Sequence, residues 1–160
     1  MMNARLWLTF AAALSVTRMV SGALELPEGW VEKTPSVLGM YLMATHEDNG
    51  SIIVLFEPMR EFEAGNLEEF LAIKIANFER QFGTGRKSSI EETTIGGVTG
   101  LQQVMEVDLP DGGGGRVPAR YEFHVCSHRG SYVTVMLGSE TASYPDYKPV
   151  FARVLQELEY

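Results

Sequence analysis

The chain has a single cysteine, Cys126, and basic residues are scarce, 13 Lys and Arg against 21 Asp and Glu in 160 residues. One cysteine excludes an intramolecular disulfide and any zinc site built from several thiolates. A formal charge of −8 argues against a nucleic-acid partner, because a phosphate-backbone binder needs clustered Lys and Arg. Charged residues make up only 21% and hydrophobic residues 45%. That balance is too apolar for a disordered acidic tail and sufficient for the core of one domain. The uncharged apolar run at residues 6–16 spans 11 positions, short of the roughly 20 that a transmembrane helix requires.

What is present begins with an address. Arg5 supplies a positive start, residues 6–16 an apolar stretch, and Ser21 and Ala23 stand at −3 and −1 of a small-residue cleavage site before Leu24. This is the signal-peptide pattern. Residues 1–23 are expected to be removed, leaving a single domain over residues 24–160 in the periplasm or secreted, with no integral membrane segment. The signal carries two arginines and no acid, so the remainder carries −10 rather than −8.

The mature chain reads as an α+β domain. Residues 39–46 and 51–57 form a strand pair around Asn49-Gly50, a strong hairpin signal. The near-continuous apolarity of 51–57 predicts a central strand buried on both faces. Asn66 begins a helix as N-cap with Glu69 three residues on, and Leu67, Phe70, Leu71, Ile75, Phe78 and Phe82 recur at helical spacing. Residues 87–94 and 100–109 read as strands about Gly96-Gly97, the second half-exposed with Leu101, Val104 and Val107 as its apolar set. Residues 117–127 and 131–137 form a further hairpin. A last helix follows Ser143, with Tyr147, Val150, Phe151, Val154, Leu155 and Leu158 on one face.

Catalytic motifs are missing. Gly112 to Gly115 have no following Lys-Ser or Lys-Thr and join strand to strand, so they are a turn and not a phosphate loop. No Gly-x-Ser-x-Gly elbow occurs, and a hydrolase is a remote third possibility. One cluster has chemistry in reserve. On a strand, His124, Cys126 and His128 share one face, with Tyr121, Phe123 and Val125 on the other. Imidazole and thiolate suit zinc or copper. His124 and His128 lie about 13 Å apart on an unbent strand, so His124 with Cys126, or Cys126 with His128, would need further ligands from elsewhere. The competing reading is a buried thiol flanked by strand-end histidines. Trp30, Tyr41, Tyr144 and Tyr147 sit near turns and suit either core or interface. The acidic connection at residues 57–63 suits a basic partner.

The order of segments resembles a known family. Leu26, Pro27, Gly29 and Trp30 open the domain, Leu67 to Phe70 open the first helix, Ile95 to Val98 span a tight turn, and Tyr147, Pro149, Phe151, Val154 and Leu155 mark the last helix. Together they resemble the PsbP-like and DcrB-like superfamily, which includes the extrinsic P subunit of photosystem II and a Ran-binding protein. The resemblance implies an antiparallel sheet between helical layers, a binding or assembly role toward a protein partner, and no catalytic set. The expected function is an exported, non-enzymatic protein-binding or accessory module, with an immunity or secretion-associated factor as one version. The alternative is a periplasmic metal-binding protein using Cys126 with His124 or His128.

Overall fold

The computed structural model describes residues 24–34 and 39–160. The expected signal segment, residues 1–23, lies outside them. Alternating apolar and polar residues, β-branched runs and glycine-rich turns produce strands β1 (Val31–Glu32), β2 (Met40–Thr45) and β3 (Ser51–Pro58), then β4 (Arg86–Lys87), β5 (Glu91–Ile95), β6 (Val98–Pro110), β7 (Arg116–His128) and β8 (Ser131–Glu140). Helix α1 (Leu67–Phe82) separates β3 from β4, and α2 (Tyr144–Glu157) follows β8. All pairings are antiparallel, in the order β1-β2-β3-β8-β7-β6-β4, and β5 also pairs with β6. This is the α+β sandwich expected of the sequence.

Several features differ from expectation. At the β2–β3 turn, Asp48 and Asn49 take the positive-φ positions (53° and 56°), one residue earlier than Asn49-Gly50. Gly50 instead closes the turn through its N–H to the Glu47 carbonyl (3.0 Å). A Cβ there would lie 2.9 Å from the Cβ of His46 and 3.1 Å from the Tyr147 ring, so the glycine is spent on close packing. The strand expected over 87–94 is broken between β4 and β5, where the Ser88 hydroxyl accepts the Val104 N–H (3.0 Å). The buried stripe of β6 is Met105, Val107 and Leu109, an alternate set that leaves Val104 on the opposite face.

Helix α1 starts as expected: Asn66 accepts the Glu69 N–H (2.9 Å), and Gly83 terminates the helix at φ 98°. Helix α2 starts differently. Ser143 makes no capping bond, and its hydroxyl donates to Asp48 (2.7 Å), tying the helix to the β2–β3 turn.

The helices cover different parts of opposite sheet faces. On one face, Phe70, Leu71, Ile75 and Phe78 of α1 pack on Met105, Val107, Tyr121 and Phe123 of β6 and β7. On the other, Tyr147, Phe151 and Val154 of α2 pack on Ile52, Val54, Val133, Val135 and Leu137 of β3 and β8. Consequently β3 is not buried on both faces. Ile52 and Val54 are 0% exposed beneath α2, whereas Ile53 and Leu55 are half-buried on the α1 face, where α1 lies over β6 and β7. Phe70 is 0% exposed and stacks on Tyr132 with ring centroids 3.9 Å apart. Its replacement by alanine is expected to cost about 3–5 kcal/mol, measured by denaturant unfolding.

Candidate functional site

Strand β7 directs Arg120, Glu122, His124, Cys126 and His128 to the α2 face, as alternation predicts. The structure does not gather the last three around one point. His124 is 2% exposed, with Nδ1 3.1 Å from the Thr93 hydroxyl of β5 and Nε2 3.1 Å from a Glu122 carboxylate oxygen. Thr93 reaches His124 across β6, where it stands opposite Gly100; a Cβ at Gly100 would strike the Val125 carbonyl. Cys126 is 0% exposed, and its sulfur lies 3.2 Å from the Tyr160 hydroxyl. That hydroxyl donates its one proton to the Ile95 carbonyl (2.6 Å), so the thiol is the donor to the phenol oxygen. Burial pushes the Cys126 thiol above its ordinary pKa. The His128 ring packs 4.5 Å from that of Tyr160. His46 is engaged elsewhere, with Nδ1 2.7 Å from the Tyr147 hydroxyl and its ring against Trp30.

Zinc or copper at His124 would compete with Thr93 and Glu122 for the ring nitrogens. Among the described residues, no group of three or more His, Cys, Asp or Glu side chains is placed to hold a metal ion.

The arrangement instead extends from His124 toward Arg120. Tyr144, the first residue of α2, donates to the second carboxylate oxygen of Glu122. The Arg120 guanidinium lies over the Tyr144 ring, 4.9 Å from its centroid, a cation–π contact. Thr93, His124, Glu122, Tyr144 and Arg120 thus form one continuous polar chain beside α2. Burial alone would raise the pKa of Glu122, but hydrogen bonds from His124 and Tyr144, with the charges of His124 and Arg120, outweigh it and hold the carboxyl below its usual value. Burial, then the bond to Glu122, pushes Tyr144 up to about 12. Chemically the chain fixes one carboxylate and one guanidinium and braces β5, β7 and α2 together.

Thr93, Glu122 and Arg120 were not singled out from the sequence as functional residues, and Tyr144 only as a turn aromatic suited to core or interface. Their one local signal is the alternation Arg120, Glu122, His124 along β7, which by itself matches a solvated strand face. Of the turn aromatics, Tyr147 is 8% exposed and Trp30 is half-buried against Tyr147 and Phe151, so both serve the core.

Sequence comparison with family models and with characterised proteins gives no match. Comparison of structures gives several. LpqN of Mycobacterium tuberculosis, involved in cell envelope biogenesis, overlaps 85% of this chain and 80% of its own, with a TM-score of 0.53 and 14% identity. Cyanobacterial PsbP of Synechocystis overlaps 81% of this chain and 80% of its own (TM-score 0.45, 19% identity). The Ran-binding protein Mog1p of Saccharomyces cerevisiae overlaps 81% and 79% (TM-score 0.47, 15% identity). The overlap with LpqN is that of a shared α+β architecture. At these identities the likeness is one of fold alone.

Two outcomes follow from the site. The folded-state pKa of Glu122 is lowered, so its stabilisation is complete above the ordinary carboxylate range and is lost as pH falls through the lowered value. Glu122→Gln should therefore cost about 1–3 kcal/mol near neutrality and flatten the acid limb of a stability-versus-pH curve from denaturant titrations. Cys126 should resist alkylation by iodoacetamide in the native protein and react once the chain is unfolded, as mass spectrometry would record.

Proposed function

We propose that this chain is an exported, non-enzymatic protein-binding or accessory module, and that its partner seats on the part of the α1 face that α1 leaves open. The observation that carries the reading is the composition of that strip. Met43 pairs with Ile53, Ile53 with Met136, and Leu55 with Thr134, so these side chains share one face across β2, β3 and β8. Met43, Ile53, Leu55 and Met136 are each half-buried, with no second α-helix above them among the described residues. A polar sheet face would need no cover, whereas an apolar one suits a partner surface. Glu57 closes one end of the strip, bound to Lys74 of α1 at 2.5 Å, and Glu140 lies at the other, bound to Asn49 at 2.9 Å.

Export is supported by the signal pattern at residues 1–23 and agrees with the cell-envelope role named for LpqN. Among the described residues no helix is long and apolar enough to cross a membrane. A binding role is supported over catalysis by the state of the polar chain. Its histidine is 2% exposed, and Thr93, His124, Glu122 and Tyr144 are committed to one another, which closes these four to substrate. An immunity or secretion-associated factor is one form of this reading.

Affinity capture of the tagged protein from its own cell envelope tests it. A specific protein should be recovered and should be lost with Ile53→Gln, while Ile53→Gln shifts stability by less than about 1 kcal/mol. Ile52→Gln, on the covered face, should destabilise by several times as much. Recovery of no specific partner, or equal recovery with Ile53→Gln, contradicts the reading.

A further inference from the structure

The α2 face beyond the polar chain holds an open depression of about 260 Å³, lined by Val104 and by Arg86, Lys87, Ser88, Glu91, Glu106 and Arg120. It lies on the opposite side of the sheet from the apolar strip, so it is independent of the partner surface proposed above. We propose that this depression binds the carboxylate of a short peptide-like ligand through Arg120 and Arg86.

Arg120 is held ready and incompletely satisfied. Its guanidinium is fixed over the Tyr144 ring, and its Nε is buried without a hydrogen-bond partner among the described residues. Its ion pair with Glu106 spans 3.6 Å, longer than a hydrogen bond. An arginine fork presents five N–H donors in a plane that matches a carboxylate, and the stacked position removes much of the rotamer freedom that binding would otherwise restrict. Arg86 supplies a second guanidinium from β4. It contacts Glu106 as well, but its side chain is 83% exposed, and an exposed ion pair is weak enough to exchange for a ligand carboxylate.

The ring of charge also limits what fits. Lys87 is paired with Glu79 of α1 (3.0 Å), and Glu106 and Glu91 disfavour a dianion such as phosphate, while a single carboxylate meets two guanidinium groups. Glu91 stands opposite Gln102 and Arg86 opposite Glu106, four positions along β6 or about 13 Å. With side chains leaning inward, a ligand of roughly 10 Å, the reach of three residues, places its carboxylate at the arginines and an amino group at Glu91. The same carboxylate could come from a free short peptide or from the C-terminus of a protein.

Calorimetric or NMR titration of the folded mature chain with triglycine, triglycine amide and N-acetyl-triglycine tests the proposal. Triglycine should saturate, and the amide should bind about tenfold or more weakly, the loss expected for a charge-assisted hydrogen bond. Arg120→Gln should produce a similar loss with the acid. Arg86→Gln, at an exposed position that leaves the fold intact, should produce a smaller but measurable one. Weaker binding of N-acetyl-triglycine identifies a free zwitterionic peptide as the source, and equal binding identifies a chain terminus; either supports carboxylate capture. The proposal is overturned if triglycine does not saturate below roughly 10 mM, if the amide binds as well as the acid, or if neither arginine variant weakens binding.

Discussion

Among the described residues, two α-helices, each about 10 Å wide, cover both faces of a sheet whose seven-strand path is about 30 Å across at 4.8 Å per strand. That shortage of cover organises everything else in the molecule. Helix α1 lies over β6 and β7 on one face, and α2 lies over β3 and β8 on the other. The strands in the middle of the sheet therefore gain cover on alternate sides, and two regions at opposite corners are left open. Their chemistry differs. The open part of the α1 face carries Met43, Ile53 and Leu55, while the open part of the α2 face carries Arg86, Glu91 and Glu106. An apolar strip and a charged depression thus lie on opposite faces, toward opposite edges, of one sheet.

Strand β7 joins these regions. Its odd residues, Tyr121, Phe123 and Val125, belong to the core beneath α1. Its even residues run from Arg120 at the depression through Glu122 and His124 to Cys126 beneath Tyr160. Burying Glu122 and His124 would be costly if either lacked a partner. Thr93 partners His124 from β5, Tyr144 partners Glu122 from α2, and the charge of Arg120 on β7 acts on Glu122. The polar chain therefore couples the register of the sheet to the seating of α2, and it holds Arg120 against Tyr144 as a by-product. Gly100, opposite Thr93 on β6, has no room for a Cβ, which would strike the Val125 carbonyl of β7.

Much of this was legible in the residues. The stripe from Leu67 to Phe78 and the Asn66 cap specify α1, and the spacing from Tyr147 to Val154 specifies α2, because both signals are local. The alternation along β7 correctly separates the face of His124 and Cys126 from that of Tyr121 and Phe123. What could not be read depends on which face each helix covers. Ile53 looks as buried as Ile52 in a continuous apolar run, and only the offset of α1 distinguishes them. Arg120 and Glu122 look like residues of a solvated face until Tyr144 and Thr93 arrive from distant segments. The β2–β3 turn moved by one residue for a similar reason: Gly50 is required where His46 and Tyr147 converge, and Tyr147 lies almost a hundred residues away.

Methionine oxidation measures the incomplete cover of the sheet directly, because sulfoxide formation follows exposure. Met43 lies on the open strip and Met105 is 0% exposed beneath α1. Limited treatment of the native protein with hydrogen peroxide, followed by peptide mass spectrometry, should show Met43 oxidised well before Met105. Oxidation of the two at comparable rates, or protection of Met43 equal to that of Met105, would contradict the arrangement.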